Sequence, residues 1–285
     1  MNCYLCGSTK QIKRRGKPRD NKSLNVFECC DCGLVFLDSF EHINENFYQE
    51  SGMHDSEIQP DTFEDWLEES KIEDNKRIEK HKSKINGQKI LDFGCGSGGF
   101  LSKARKYASI VKGIELEKRV KNYWEGNIEI DFNLDKIIRE KETFDVITMF
   151  HVLEHIKDPI STLKDISKCI KANGEIIIEV PSSEDALLTL YNCEPFQNFS
   201  YWSNHLFLFN NNTLKKVIEK AGLKVNLIEN YQRYSLSNHL YWLSNGKPNG
   251  HKVFSSLNSE ILNSSYAEML GKIKKTDTLI AYASI

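Results

Sequence analysis

Short apolar runs alternate with charged stretches along most of this chain. Runs of five to seven residues recur at 89–93, 110–115, 127–131, 144–150 and 175–180. Each is too short for a typical helix and reads as a largely buried strand. The stretches between them carry apolar residues at helical spacing. One predicted helix, Pro159 to Ile170, is expected to stop at Ala172-Asn173-Gly174, because glycine readily closes helices. Another covers Asn211 to Ala221, with Gly222 after it, and strands are predicted over Leu223 to Tyr231 and Thr278 to Ile285. Upstream, Asp61 to Lys84 is highly charged, with apolar marks at Phe63, Trp66, Leu67, Ile72 and Ile78 that suit an amphipathic helix. Regular strand–helix alternation predicts an α/β fold, a parallel sheet with helices on both faces. Such sheets bind ligands beyond the carboxyl ends of their strands.

The strand ends carry the chemistry. The first apolar run passes through Asp92 into Gly94-Cys95-Gly96-Ser97-Gly98-Gly99. Glycines there let the backbone approach a ligand closely, and the following helix start offers free N–H groups. Gly94, Gly96 and Gly99 also satisfy the dinucleotide pattern. Asp92 argues against that ligand, because an acid at this position suits a cationic group better than a pyrophosphate. The second run ends in Glu115, whose carboxylate can accept both hydroxyls of a ribose. The fourth runs into His151-Val152-Leu153-Glu154-His155. Asp92, Glu115, His151 and Ser182 all fall at strand ends, which places them in one cleft.

These residues resemble class I S-adenosylmethionine (SAM)-dependent methyltransferases over roughly residues 85 to 230. The D-x-G-x-G-x-G motif is matched by Asp92, Gly94, Gly96 and Gly98. The acid after the second strand is matched by Glu115. F-D-x-I followed by h-x-x-L-E-H is matched by Phe144 to His155. The resemblance implies a Rossmann-like sheet with SAM held by Asp92, Gly94, Cys95, Gly96, Gly98 and Glu115. It further implies Asp131 and Phe132 near the adenine, with Phe150 and His151 beside the methionine moiety and the transfer path.

Composition adds a second module. The chain has 285 residues, a net charge of −2 and eight cysteines. That length holds one sizeable α/β core with a small accessory domain. The near-neutral charge disfavours a nucleic-acid partner, and no apolar run reaches membrane-spanning length. Cys3-x-x-Cys6 and Cys29-x-x-Cys32 stand 22 residues apart, a spacing that offers four thiolates for a closed, structural zinc site. Cys30 is a spare thiol. The expected ribbon covers residues 1–38 and has almost no core of its own, so metal would supply most of its folding energy. Its loop carries Lys10, Lys13, Arg14, Arg15, Lys17, Arg19 and Lys22, read as a solvated hairpin tip or a small-phosphate contact. Clustered metal-type cysteines and the absence of a signal-like start point to a cytoplasmic protein. Residues 39–86 are expected to be a linker and cap helix, 87–232 with 277–285 the methyltransferase core, and 233–276 an insertion that either forms a substrate lid or packs as a helical excursion.

Two histidine clusters compete for catalysis. His151, Glu154 and His155 resemble the E-x-x-E-H segment of ubiquinone-pathway O-methyltransferases, where Glu, Glu and His hold a divalent ion. Here His151 replaces the first acid, so the cluster is either a metal site or a structural pair. Tyr201-Trp202-Ser203-Asn204-His205-Leu206-Phe207 resembles the Y-x-E-H-F segment of deoxysugar C-methyltransferases, which also begin with a cysteine zinc domain. That match makes His205 a candidate base. Trp202 and Asn204 replace the tyrosine and the acid, so the resemblance carries architecture more than reaction. The aromatic residues Tyr201, Trp202, Tyr234, Tyr241 and Trp242 stand among polar neighbours, and point to a sugar or nucleotide-linked sugar. Oxygen rather than carbon is the expected methyl acceptor.

Overall fold

The computed structural model describes residues 2–43 and 62–285. Residues 44–60 of the expected linker and the expected helix start at Asp61 lie outside the described residues. The elements, in chain order, are β1 (Gln11–Lys13), β2 (Val26–Cys29), β3 (Val35–Leu37), α1 (Phe63–Ile85), β4 (Lys89–Phe93), α2 (Gly99–Ala104), β5 (Ile110–Ile114), α3 (Lys118–Trp124) and β6 (Glu129–Asp131). There follow α4 (Asp135–Arg139), β7 (Phe144–Phe150), a 3-10 turn at Leu153–His155, α5 (Pro159–Ser167), β8 (Ile170–Pro181), α6 (Glu194–Ser200), β9 (Phe207–Leu208), α7 (Asn211–Lys220) and β10 (Lys224–Tyr231). Helices α8 (Leu236–Asn245), α9 (Gly250–Val253) and α10 (Glu260–Lys272) lead to β11 (Thr278–Ser284).

Seven strands form the main sheet in the order β10-β11-β8-β7-β4-β5-β6. Strands β8, β7, β4, β5 and β6 run parallel, while β11 is antiparallel to both of its neighbours. The α/β fold therefore stands, with a mixed rather than wholly parallel sheet. One face is covered by α1, α2 and α3 through Ile78, Ile85, Phe100, Leu101 and Val120. Helices α5 and α7 cover the other through Leu163, Ile166, Leu214, Val217 and Ile218.

Local chemistry sets the helix ends. The Thr62 side chain accepts from the Asp65 N–H, and Asp65 reaches back, a capping box that opens α1. Asp158 caps α5 ahead of Pro159. The predicted stop of α5 at Gly174 is wrong. The helix ends at Ser167, and Ile170 already pairs with Phe144 at the start of β8. Gly174 lies inside that strand, where an added Cβ would stand 2.9 Å from the Asp145 carbonyl oxygen. Burial of Cys169 and Ile170 against the core outweighs the turn signal of Asn173-Gly174.

The cysteine module is not coreless. Its sheet runs β1-β2-β3-β9, and β9 comes from the segment between α6 and α7. Val35 and Phe36 register with Leu208 and Phe207. Leu34, Val35 and Phe36 join the same apolar cluster as Leu153, Leu206 and Phe209. The Tyr4 hydroxyl donates to the α5 cap Asp158, and Lys220 donates to the Leu5 carbonyl. Long-range burial thus supplies what the isolated sequence of the module lacks. The basic loop divides: Arg14 pairs with Glu28 at 2.9 Å and Arg19 lies over Trp202 at 4.2 Å, while Lys10, Lys13, Arg15 and Lys22 are exposed.

Phe207 lies under the ring of Tyr4, beside Phe40 and Phe209. Phe207→Ala should cost about 3–5 kcal/mol, with one urea transition for module and core together. Two separate transitions in circular dichroism would refute the shared core.

Candidate active site

The glycine loop sits where β4 ends, between β5 and β7. Gly94, Gly96 and Gly98 all have positive φ, at 75, 52 and 77°. A side chain at Gly94 would strike Val152, and one at Gly98 would strike the Trp124 indole. Trp124 donates to the Ser97 carbonyl at 2.8 Å and so pins the loop from α3. The backbone of Gly96 faces a space roofed by Trp66, 3.8 Å from where a Cβ would be. The thiol of Cys95 points away into the core against Gly113, so only its backbone is available to a ligand.

Two carboxylates flank this loop. Asp92 is buried and accepts from the Thr148 hydroxyl at 2.7 Å. Burial pushes its carboxyl up to about 7, with the Thr148 bond pulling the other way. Glu115 accepts from the N–H groups of Gly96, Leu116 and Glu117, and burial raises it above the usual range. Asp131 adjoins it, its carbonyl accepting from the Glu115 N–H at 3.0 Å. Phe132 is half exposed under Lys121. Helix α1 closes over the loop: Ser70 lies 3.1 Å from the Ser97 hydroxyl and donates to Asp74, which fills the space above Gly99.

Beyond the tip of β7, His151 adopts a left-handed φ of 57°. That bend aims its ring between two buried acids. Nδ1 lies 3.1 Å from Glu154, and Nε2 lies 3.1 Å from Glu179 and 2.9 Å from the Arg233 guanidinium. Burial and Arg233 lower the affinity of His151 for a proton, but Glu154 and Glu179 outweigh them and raise it. Burial would push Glu154 up, yet His151 and His155 hold it at about 2. Arg77 completes the chain, donating to Glu179 at 2.8 Å and stacking on Phe150.

His205 stands apart in sequence but not in space. Its ring lies edge-on to His155 at 5.0 Å and to Trp202 at 5.7 Å. Its Nδ1 and the Glu154 Oε2 are buried without a hydrogen-bond partner among the described residues. Burial and neighbouring His155 hold the imidazole down at about 3, so it is neutral at physiological pH. Glu154, His155 and His205 offer ligand atoms all within 4.8 Å of one another, a set that could hold a divalent ion. It differs from the expected grouping in that His205 joins Glu154 and His155, while His151 bridges Glu154 and Glu179.

The four cysteine sulfurs also converge within 4.8 Å, with Cys3 to Cys32 and Cys6 to Cys29 both at 3.5 Å. A tetrahedral zinc with bonds of about 2.3 Å spaces its sulfurs at about 3.8 Å, so the donor set fits that metal.

A methyltransferase domain model matches residues 60–227. The chain belongs to this methyltransferase-domain family. Over 101 residues it is 32% identical to a ubiquinone biosynthesis O-methyltransferase of Coxiella burnetii, covering 32% of this chain and 43% of that one. The enzyme of the same name from Idiomarina loihiensis is 35% identical over 109 residues, covering 35% and 44%. The chain thus spans a little under half the length of these relatives. A crystal structure of a SAM-dependent methyltransferase from Archaeoglobus fulgidus covers 78% of this chain and 98% of its own, with a TM-score of 0.55 at 20% identity, a likeness of fold. Among the described residues, no helix is long and apolar enough to cross a membrane.

Sequence reasoning missed several residues of this methyltransferase domain. Glu179 had a signal, an acid inside the apolar run Ile176 to Val180. Arg77 and Arg233 had none, because their partners lie about 100 and 80 residues away. The polar set read as an acceptor face is largely spent internally: Ser203 donates to Asp20, Ser237 to Asn258, and His239 meets Tyr266. Trp242 is packed on Phe196 and Phe199 rather than presented to a ligand.

Asp92 gives a pH test. Its carboxyl titrates at about 7 folded, against 3.8 for the free side chain, so the fold keeps the proton longer than the unfolded chain. Its contribution is complete below pH 3.8 and is lost as pH climbs to about 7. Relative to Asp92→Asn, which cannot ionise, the wild type should lose about 4 kcal/mol over that range. Parallel urea curves at both ends of the range would remove the buried-acid account.

Proposed function

We propose that this chain transfers a methyl group from SAM to a hydroxyl of a small, hydroxyl-rich acceptor. The observation that carries the reading is the meeting of Asp92, the glycine loop and Glu115 at adjacent strand ends. The narrower reading, a sugar or nucleotide-linked sugar, is supported by the four-cysteine module joined to the His205 segment. The O-methyltransferase names of the relatives support oxygen as the acceptor atom. The cysteine module is read as a structural zinc ribbon.

When bound, SAM would supply an electrophilic methyl on a cationic sulfur. Asp92 and Glu115 would hold it, with Trp66 and Asp74 of α1 above the loop. Alignment of the two reactants supplies the largest share of rate, up to about 7–11 kcal/mol. As the acceptor oxygen takes the methyl group, its hydroxyl proton becomes strongly acidic. His205 receives that proton, and the neighbouring Glu154 carboxylate stabilises the imidazolium. A base as weak as buried His205 is adequate for an oxygen in this state, whereas a carbon acid would demand a stronger one.

A second reading is favoured by the convergence of Glu154, His155 and His205. These residues would hold a divalent cation, which would lower the pKa of a bound hydroxyl.

Calorimetry with SAM and with its demethylated product tests the donor; absence of binding at millimolar concentrations sinks the proposal. His205→Ala should lower kcat at least about tenfold with SAM affinity unchanged. Because the wild-type ring titrates at about 3, kcat should stay flat from about pH 8 to pH 5. An acid limb near pH 6.5 would instead point to a histidine of ordinary basicity. Elemental analysis of the protein as purified should return about one zinc per chain, and a protein that carries no zinc and takes none up when it is supplied would remove the ribbon.

A further inference from the structure

The loop that carries His205 is held from two sides: the core reaches it through His155 at the Asn204 carbonyl, 2.8 Å, and through the Ser183 N–H at the Phe209 carbonyl, 2.8 Å, while the cysteine module holds residues 201–203 and 206. Asp20 accepts from the Ser203 N–H at 2.9 Å and from its hydroxyl at 2.5 Å. The Arg19 N–H donates to the Tyr201 carbonyl at 2.9 Å, and its guanidinium covers Trp202, the ring that packs edge-on to His205. The Leu37 N–H donates to the Leu206 carbonyl at 3.2 Å, continuing the β3–β9 pairing. Strands β2 and β3, which frame these contacts, are joined through the Cys29–Cys32 knuckle. The glycine loop is held differently, by Trp124, Glu115 and α1.

This division matters because His205 Nδ1 has no partner among the described residues to orient its ring. The ring direction comes from the loop backbone and from the edge-on rings of His155 and Trp202. A base works only within about 2.6–3.2 Å of its proton, and a misplacement of about 1 Å can cost about a hundredfold.

We propose that the cysteine module is a positioning clamp for the acceptor side of the site, with Asp20 as a positioning residue for His205. Metal occupancy then sets the order of residues 201–209 and leaves the SAM pocket intact. The proposal rests on the reading that His205 faces the acceptor.

Hydrogen exchange on the full chain tests it, with wild type as purified, wild type after zinc withdrawal, Asp20→Ala and Asp20→Asn. Exchange in peptides covering 201–209 should rise about tenfold after zinc withdrawal and in Asp20→Ala. Peptides covering 89–100 should not change, and SAM affinity by calorimetry should stay within about twofold. Asp20→Asn keeps an acceptor for the Ser203 N–H and should restore most of the protection. The His205 ring resonances should shift in the alanine variant and return in the asparagine variant, a response a general loss of stability would not give. Unchanged exchange at 201–209 overturns the clamp. So does equal loosening at 89–100 with loss of SAM binding, which would make the module a general stabiliser. A wild type that never binds SAM would strike the methyltransferase reading instead, while the exchange comparison still decides the clamp.

Discussion

Two buried carboxylates, Glu154 and Glu179, constrain the strand tips, because a charge removed from water persists only when it is paired. His151 stands between them, and its left-handed backbone is the geometric consequence. A non-glycine residue in that region costs about 1–2 kcal/mol, so the surroundings must enforce it. The His151 N–H donates to the Glu179 carbonyl at 2.8 Å, which ties the strained residue to β8. From Glu179 the chain of charge passes to Arg77 on α1. From Glu154 it passes to His155, whose Nδ1 lies 2.8 Å from the Asn204 carbonyl. One run of buried polar groups therefore joins the helix above the glycine loop to the loop that carries His205.

That chain explains why the two halves of the site differ in how they read from sequence. The glycine-loop half is built by residues close in sequence to the strands that place them. Asp92 lies in β4, Gly94, Gly96 and Gly98 follow that strand directly, and Glu115 follows β5. Their spacing is dictated by a turn that only glycine can make without striking Val152 or Trp124. Such constraints leave a local signature. The surroundings of His151 and His205 are assembled from Arg19, Asp20, Glu154, Glu179 and Arg233, which no local pattern connects. Their side chains were visible, but their proximity was set by folding of distant segments.

The same distinction accounts for the errors in the fold. Asn173-Gly174 is a sound local stop signal, yet pairing of Ile170 with Phe144 and burial of Cys169 override it. The first 38 residues look too poor in apolar side chains to fold unaided, and that arithmetic holds for the isolated segment. It fails because β9 is lent from elsewhere, adding Phe207 and Leu208 to a sheet whose own strands are three or four residues long. A local count of hydrophobic residues cannot register a strand donated from 170 positions away.

Lending β9 has a chemical consequence. The residues immediately before it are Asn204, His205 and Leu206, so the strand that completes the cysteine module also fixes the exit of the histidine loop. A short two-residue strand has little hold of its own, and its register depends on the rigidity of β3. Four thiolates closing a tetrahedral metal shell would supply that rigidity at the knuckle between β2 and β3. With His205 in its proposed role, a structural metal would govern the placement of a proton acceptor without touching any reacting atom, which would be a reason for a small metal module to be built into the sheet rather than tethered beside it.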